Sequence, residues 1–277
     1  MVKDLIMFKT ASWLKKNIKN NNIKVIDASW YLPNSKRNNL KEYRDSCIPG
    51  AIFFDIDKIC DKNSSLPHMV PDRKFFEKEV SELGINIRNI IIVYCKEGIN
   101  SSPRVWWFFK YFGHKKIYVL NGGFKAWRLS NGKIVRSHQV KKQKSTYKCD
   151  RIKKKYLIKY DNLFKIIKDN DNIVMDARPK ERFLELKNEP RINIGKGKIK
   201  NSISSPFDIF DINGYIKSKR EIRKIFNNLV KNYTLLICSC GSGISACVIA
   251  ISLHHIGKNR WTVYDGSWTE WYTKFKN

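Results

Sequence analysis

Short hydrophobic runs recur in the same order in the two halves of the chain, roughly 145 residues apart. Residues 25–28 (VIDA) correspond to residues 174–177 (VMDA), and residues 91–95 (IIVYC) correspond to residues 236–240 (LICSC). Each is an apolar run of strand length that ends in a loop. The pattern predicts that the chain is an internal duplication.

Helical patterns follow these predicted strands. Residues 119–127 (VLNGGFKAW) and 263–271 (VYDGSWTEW) each combine a strand, a glycine turn and an aromatic-rich helix, and Gly113 and Gly257 stand where earlier helices would end. Short apolar strands that alternate with helices of about 10–15 residues are typical of parallel sheets covered by helices. The predicted fold class is therefore α/β, with two tandem domains, each an open parallel sheet with helices on both faces.

The segment between the repeats is rich in lysine and poor in large apolar side chains until Tyr156. Such a stretch favours a linker, which we place near residues 140–155. The predicted domains are residues 1–143 and residues 155–277. Because reactive groups of open parallel sheets sit on loops at the carboxyl ends of strands, the loops after Cys95 and Cys240 are the candidate functional edges.

Composition and charge narrow the function classes. A content of 42% hydrophobic and 13% aromatic residues excludes a disordered chain. The 54 Lys and Arg against 25 Asp and Glu give a net charge of +29, which by itself suggests a polyanion partner. The basic residues are spread along the chain, however, without zinc-ligand spacing or an RNA-recognition signature. We therefore expect no nucleic-acid partner.

Residues 234–257 contain no charged side chain and approach the length of a membrane span. Their centre is Gly-Ser-Gly, which favours a buried strand, a loop and a buried helix in series, so we expect no membrane insertion. Seven cysteines at irregular spacing argue against a disulfide framework. Residues 1–10 show no secretory pattern, and a cytoplasmic location is expected.

The loop at residues 240–245 (CGSGIS) joins an apolar strand to an apolar helix. Backbone N–H groups of a tight loop and of a helix N-terminus form a positive cradle that stabilises an anion. A cysteine at the first position would react as a thiolate, which makes Cys240 a candidate nucleophile. The alternative is that Cys240 is a small buried residue.

The same loop resembles the CGSGVT active-site loop of the 3-mercaptopyruvate sulfurtransferases of the rhodanese superfamily. This resemblance implies two tandem rhodanese-like domains, with a catalytically silent first domain that contributes side chains to a cleft and the active cysteine in the second. Further blocks that resemble the family are residues 48–57 (IPGAIFFDID), 66–69 (LPHM), 102–107 (SPRVWW), 176–178 (DAR) and 264–268 (YDGSW).

The resemblance also implies the site residues. Arg182 and Arg191, in a segment predicted as a strand end followed by an irregular loop, match two arginines that hold the carboxylate and carbonyl of mercaptopyruvate. Guanidinium groups suit a planar 2-oxo acid because they make bidentate, charge-assisted hydrogen bonds. The predicted catalytic residues are Cys240, Ser242, Asp57 and His68, and the loop residues assigned to substrate binding are Gly241, Gly243, Ile244 and Ser245.

The implied reaction moves the sulfur of 3-mercaptopyruvate to Cys240 as a persulfide, releases pyruvate, and passes the sulfur to a small thiol, thioredoxin or cyanide. This chemistry needs no metal and no organic cofactor. Thiosulfate sulfurtransferases are the first alternative, but their loop resembles CRKGVT and places two cations where this chain has Gly241 and Ser242. A rhodanese-related phosphatase needs arginine at the sixth position after the cysteine, which is Ala246 here. A non-enzymatic sulfur-relay or docking module stays open.

Two features depart from the family pattern. Residues 198–201 (KIKN) replace a His-Ile-Pro-Gly block, so an altered turn is expected there. Cys95 occupies the first-domain position equivalent to Cys240, where the family usually has a non-nucleophilic residue. Because its loop at residues 96–100 (KEGIN) carries an acid and does not match the active pattern, we expect Cys95 to be inert; a role as a second acceptor or a regulatory thiol is the alternative.

Overall fold

A computed structural model describes residues 7–137, 145–230 and 232–276 of the 277-residue chain. Its first half contains a five-stranded sheet with helices between the strands. The elements are β1 (Phe8–Lys9), α1 (Ala11–Asn17), β2 (Ile23–Asp27), α2 (Asn39–Asp45), β3 (Ile52–Phe53), α3 (Arg73–Glu82), β4 (Ile90–Tyr94), α4 (Ser102–Tyr111), β5 (Ile117–Leu120) and α5 (Gly123–Leu129).

The second half repeats this plan and adds an antiparallel hairpin, β9–β10. Its elements are β6 (Leu157–Ile158), α6 (Tyr160–Ile166), β7 (Asn172–Asp176), α7 (Lys180–Phe183), β8 (Ser202–Ser204), β9 (Asp211–Ile212), β10 (Tyr215–Ile216), α8 (Lys219–Leu229), β11 (Leu235–Ser239), α9 (Ala246–His255), β12 (Trp261–Tyr264) and α10 (Ser267–Lys276).

The two five-stranded sheets have matching topology. Their strand orders are β1-β5-β4-β2-β3 and β6-β12-β11-β7-β8, and all neighbouring strands within each are parallel. The central strands β4 and β11 are almost completely buried, as expected for parallel strands covered on both faces. The predicted α/β duplication is confirmed. The helices α3, α4, α8, α9 and α10 have 10 or 11 residues, at the short end of the expected range, and a helix of ten residues, about 15 Å long, already spans a five-residue strand.

A hydrophobic core continues across the two domains. Helix α4 of the first domain packs against α9 of the second, and both contribute to one buried cluster. Trp261 stacks on Tyr156 with ring centroids 4.5 Å apart, and Trp106 lies 6.3 Å from Trp261. This shared core holds the carboxyl ends of β4 and β11 at the boundary between the domains.

The uncharged stretch at residues 234–257 forms β11, a loop and α9, as predicted. Across residues 7–137, 145–230 and 232–276, no helix is long and apolar enough to cross a membrane.

The predicted domain boundaries stay a prediction. Residues 145–153 carry no helix or strand, and β6 begins at Leu157. Residues 140–144 of the predicted linker and residues 1–6 of the segment inspected for a secretory signal lie outside the described residues.

The altered turn before β8 keeps the backbone shape of its counterpart before β3. Asn201 has φ of 53°, and Gly50 in the first domain has φ of 73°. Asparagine tolerates this left-handed conformation better than most residues. Its side-chain amide also donates to the carbonyl of Asn172 at 2.9 Å.

Candidate functional site

Cys240 follows the last residue of β11 and is 2% exposed. The backbone N–H of Gly243 donates to its Sγ at 3.1 Å, so the loop turns a donor toward the sulfur. This turn depends on glycine, since Gly243 has φ of +82° and a Cβ there would stand 2.7 Å from the carbonyl oxygen of Asp265. A donor in that position stabilises negative charge on the sulfur.

Helix α10 holds the other side of this loop. The N–H of Trp268 donates to the carbonyl of Cys240 at 2.9 Å, and Thr269 donates to the carbonyl of Gly241 through its N–H at 3.0 Å and its Oγ1 at 2.7 Å. The hydroxyl of Ser267 accepts the N–H of Cys240 at 3.1 Å. The first N–H groups of a helix need partners outside the helix, and here the loop supplies the carbonyls.

All seven cysteines are free thiols. Burial raises the pKa of five of them, so these thiols are protonated at neutral pH. The pKa is raised for Cys47, Cys60 and Cys238, and it is raised to about 12 for Cys149 and Cys247.

The structure brings Asp57, His68, Ser242 and Arg191 together in one hydrogen-bonded chain. Nε2 of His68 lies 2.8 Å from Oδ1 of Asp57, and Nδ1 lies 3.2 Å from Oγ of Ser242. Nη2 of Arg191 donates to the same Oγ at 3.2 Å. Because a carboxylate only accepts, Nε2 carries the proton of a neutral His68, and Nδ1 then accepts the Ser242 hydroxyl proton.

Electrostatics favour this protonation pattern. Burial lowers the pKa of His68, and the charges of Arg191 and Arg104 act in the same direction, which together outweigh the effect of Asp57. Burial alone would raise the pKa of Asp57, but its hydrogen bond and charge interaction with His68 and the hydrogen bond from Trp30 lower it overall. At neutral pH the pair is therefore a neutral imidazole beside a carboxylate.

Arg182 and Arg191 both line a cavity of about 420 Å³ that also contains Cys240. Arg182 lies in the short helix α7, not in the irregular loop that the sequence suggested. Its guanidinium pairs closely with Glu189, which also accepts from Arg178 at 2.7 Å. Arg191 interacts electrostatically with Asp57 and with Cys240.

The remaining predicted site residues either line the cavity or lie next to residues that line it. The loop residues Gly241, Ile244 and Ser245 line the cavity together with Ser242. Gly243 lies under the sulfur of Cys240, and His68 lies behind Ser242.

Arg104 is a site residue that the sequence reasoning missed. It belongs to α4 of the first domain, is completely buried, and donates to the carbonyl of Gly243 at 3.1 Å and to the carbonyl of His68. It also pairs with Asp265 at 2.6 Å. A signal was present, because an arginine inside an apolar helical run needs a buried partner.

Two more contributors were missed. Glu189, two residues before Arg191, neutralises charge beside the predicted substrate arginines. Trp30 lines the cavity and donates from Nε1 to Oδ1 of Asp57 at 3.1 Å. Neither contact has a sequence signal, since packing decides how closely the two segments of each contact approach each other. No group of three or more His, Cys, Asp or Glu side chains in the described part of the chain is arranged to hold a metal ion.

Comparisons with known proteins identify a family that matches both halves of the chain. Residues 10–130 and 160–274 match the rhodanese-like domain family. The chain is 35% identical to "Thiosulfate/3-mercaptopyruvate sulfurtransferase 1, mitochondrial" of Arabidopsis thaliana, over 96% of this chain and 76% of that protein. It is 33% identical to the 3-mercaptopyruvate sulfurtransferase of Rattus norvegicus, over 96% of this chain and 91% of that protein.

Among solved structures, the chain is similar to SseA from Escherichia coli, whose crystal structure is described under the "Rhodanese" fold and catalytic mechanism of 3-mercaptopyruvate sulfotransferases. The two share a TM-score of 0.84 and 29% identity, over 95% of this chain and 99% of that chain. The similarity therefore covers both domains.

Proposed function

The chain belongs to the rhodanese family, and we propose that it is a sulfurtransferase that takes the sulfur of 3-mercaptopyruvate onto Cys240 and passes it to a thiol. The observation that carries this proposal is a cysteine that accepts a backbone N–H at its sulfur and shares one cavity with two arginines. The cysteine supplies a nucleophile, and the arginines supply a site for a carboxylate.

Substrate binding is assigned mainly to Arg191. Its guanidinium is half-buried and makes one hydrogen bond to Ser242, so other N–H groups remain for the carboxylate and carbonyl of the keto acid. Arg182 lies beside Gly241, with its Nη2 only 3.0 Å from where a side chain on Gly241 would begin. Glycine at this position therefore keeps side-chain atoms away from the Arg182 guanidinium.

In the first half-reaction the Cys240 thiolate attacks the sulfur of 3-mercaptopyruvate. An S–S bond forms, the C–S bond breaks, and its electron pair goes to the carbon that becomes the methyl group of pyruvate. The proton of the substrate thiol ends on that carbon, so thiolate and mercaptopyruvate give persulfide anion and pyruvate. The N–H of Gly243 can stabilise charge on the sulfur throughout, as an oxyanion hole does for oxygen.

Ser242 and His68 are the chain's own groups for moving that proton. The Ser242 hydroxyl is directed at Nδ1 of a neutral His68, and Asp57 stabilises the imidazolium that forms when His68 takes a proton. In the second half-reaction, an acceptor thiolate attacks the outer sulfur and regenerates the Cys240 thiolate. A small thiol or thioredoxin is the proposed acceptor, and cyanide serves in an assay.

Thiosulfate is the second candidate donor, and the name of the Arabidopsis relative includes it. Thiosulfate carries two negative charges, so its binding would need a strong positive electrostatic potential beside Gly241. Because Glu189 neutralises Arg182 there, the charge distribution favours the keto acid. A cytoplasmic location is likewise a proposal, and the same relative is named as mitochondrial.

The test is pyruvate release from mercaptopyruvate by purified protein, compared with sulfur transfer from thiosulfate to the same acceptor. We expect mercaptopyruvate to be preferred, and we expect mass spectrometry after a single turnover to find one added sulfur atom on Cys240. Absence of pyruvate together with an unmodified Cys240 would leave a sulfur-relay or docking module as the better account.

A further inference from the structure

We propose that Trp30 is a positioning residue of this site, which holds the Asp57 carboxylate and the His68 ring so that Nδ1 of His68 accepts the hydroxyl proton of Ser242. The role in transfer rests on the proposed function, but the positioning itself is a property of the free protein. Trp30 belongs to the first domain, and Ser242 belongs to the second.

The Asp57 carboxylate needs such support. Its side chain is 57% exposed, so solvation by itself would leave its rotamer undefined. Nε1 of Trp30 donates to Oδ1 at 3.1 Å, and the same oxygen accepts from Nε2 of His68 at 2.8 Å. Two donors that converge on one oxygen fix both the carboxylate and the ring nitrogen that carries the proton.

The indole ring acts on His68 in a second way. It meets the imidazole edge to face, with centroids 5.0 Å apart and an interplanar angle of 82°. Trp30 lines the cavity, whereas the His68 side chain is only 4% exposed. The indole ring therefore covers part of the imidazole and contributes to its burial.

The loop that carries Trp30 is anchored independently of the indole. The carbonyl of Ser29 accepts from the side chain of Asn39 at 3.0 Å, and the hydroxyl and N–H of Ser29 donate to Oδ1 of Asp27 at 2.5 and 3.0 Å. A change of the Trp30 side chain therefore leaves the backbone of this loop held in place.

The decisive variant is Trp30→Phe, which keeps a ring against His68 and removes the N–H. The matched control is Trp13→Phe, the same chemical change in α1 of the same domain. The first readout is the pair of ring-nitrogen chemical shifts of His68 by NMR, identified by their loss in His68→Gln. We expect the signals to change from one dominant tautomer toward a mixture in Trp30→Phe, and to stay unchanged in Trp13→Phe.

The second readout is steady-state transfer from mercaptopyruvate. Loss of one hydrogen bond to a charged group should lower kcat about five- to tenfold, with KM within about twofold, because the carboxylate clamp is untouched. Trp13→Phe should keep both constants.

A pH profile separates the ring from the N–H. Asp57, Arg191 and Arg104 face His68, and burial is the largest cause of its lowered pKa. Trp30→Ala admits water to the imidazole, so the pKa of His68 should rise toward 6.5 and the acid limb of kcat should move to higher pH. In Trp30→Phe the limb should move less.

Unchanged His68 signals in Trp30→Phe, with kcat equal to that of Trp13→Phe, would overturn the proposal. A wild-type protein that releases no pyruvate would instead refute the proposed function, and the NMR comparison would still decide whether Trp30 positions His68.

Discussion

Cys95 and Cys240 occupy equivalent places in the two repeats, yet their hydrogen-bonding surroundings are opposite. Both follow the central strand of a sheet and both are 2% exposed. The thiol of Cys95 donates to the carbonyls of Glu97 at 3.3 Å and Gly98 at 3.4 Å, whereas the sulfur of Cys240 accepts the N–H of Gly243 at 3.1 Å. Carbonyl oxygens repel a thiolate and an N–H attracts it, so strand position alone does not make a nucleophile.

Each loop is completed by the opposite domain. The N–H of Val70 in the first domain donates to the side chain of Asp265 in the second at 2.6 Å, and the N–H of Ile216 in the second domain donates to the side chain of Asn121 in the first at 2.9 Å. Asn121 and Asp265 are equivalent positions of the two repeats, so we call these two interdomain contacts equivalent crossings. Two residues before these donors stand His68 in one crossing and Gly214 in the other.

In the crossing beside Cys95, neither Gly98 nor Gly214 has room for a side chain. A Cβ on Gly98 would stand 2.5 Å from Cα of Gly214, so the two backbones meet directly. Beside Cys240, the corresponding space holds His68 and the guanidinium of Arg104. The two loops thus keep the same backbone plan, while side chains contributed across the domain boundary give only the Cys240 loop the surroundings of a nucleophile.

The largest expected effect comes from exchanging sulfur for oxygen in the two loops. Cys240→Ser should lower transfer from mercaptopyruvate by more than about a thousandfold, because a serine hydroxyl is not ionised at neutral pH. Cys95→Ser should leave kcat/KM within about twofold of wild type. A similar loss of activity in the two variants would contradict the functional difference between Cys240 and Cys95. Circular dichroism checks that both variants are folded.

Removing the cross-domain arginine should be the next largest effect. Arg104→Met leaves Asp265 buried without its charge partner, which should lower the free energy of unfolding by about 3–5 kcal/mol. Denaturant unfolding measures this. Arg104→Met combined with Asp265→Asn should recover part of the stability but not the activity, since the carbonyls of Gly243 and His68 still lose their donor. A loss below about 1 kcal/mol in the single variant would show that the pair is not needed for stability.

The two arginines of the cavity should differ from each other. Arg191→Ala should lower kcat/KM for mercaptopyruvate near the upper end of about 10- to 100-fold, because Arg191 contacts Ser242 and forms no close ion pair with a carboxylate of the described residues. Arg182→Ala should fall near the lower end, since Glu189 already offsets its charge. Lysine at either position should rescue only partly, because it lacks the planar fork.

The control for Arg182→Ala is alkylation of Cys240 by neutral iodoacetamide, which needs no carboxylate clamp and should proceed near the wild-type rate. Wild-type kinetics in both alanine variants would remove the main support for a keto-acid substrate.

The weakest effect that we predict is the loss of stability at acid pH, which we compare for two buried histidines, one in each domain. Burial lowers the pKa of His114 and of His254 to about 4, below the ordinary value of 6.5 for histidine. Between these values the unfolded chain binds a proton that the folded protein does not, so stability is lost as the pH falls from 6.5 toward 4. At pH ~5.5 each histidine should cost roughly 1 kcal/mol.

His254→Phe should remove its share of this acid sensitivity at little cost at pH ~7, because Nε2 of His254 has no hydrogen-bond partner among the described residues. His114→Phe should be destabilising at neutral pH, since it leaves the hydroxyl of Tyr147 and the carbonyl of Asn89 without their partner. Denaturant unfolding measures the free energy of unfolding of both variants at pH ~7 and at pH ~5.5. An equal loss of stability in the two variants at neutral pH would contradict the different hydrogen bonding that we describe for His114 and His254.

The duplication, the α/β fold and the position of the loop that begins at Cys240 could all be predicted from the amino-acid sequence. These follow from local rules, since apolar runs of strand length, glycine turns and helical patterns describe each repeat without reference to the other. The equivalence of residues 91–95 and 236–240 is visible in the letters alone and reappears as β4 and β11. The motif match also selected Asp57, His68, Arg182 and Arg191, which the structure places around one loop.

The backbone groups that face each sulfur depend on the tertiary structure and could not be predicted from the sequence. Whether a peptide presents its N–H or its carbonyl to a thiol depends on backbone rotation, and the residues that fix this rotation come from distant segments. Arg104 reaches Gly243 across 139 positions, and Trp30 reaches Asp57 across 27. Such contacts leave no periodic trace in a sequence, because packing joins segments that are distant along the chain, within one domain for Trp30 and Asp57 and across the two domains for Arg104 and Gly243.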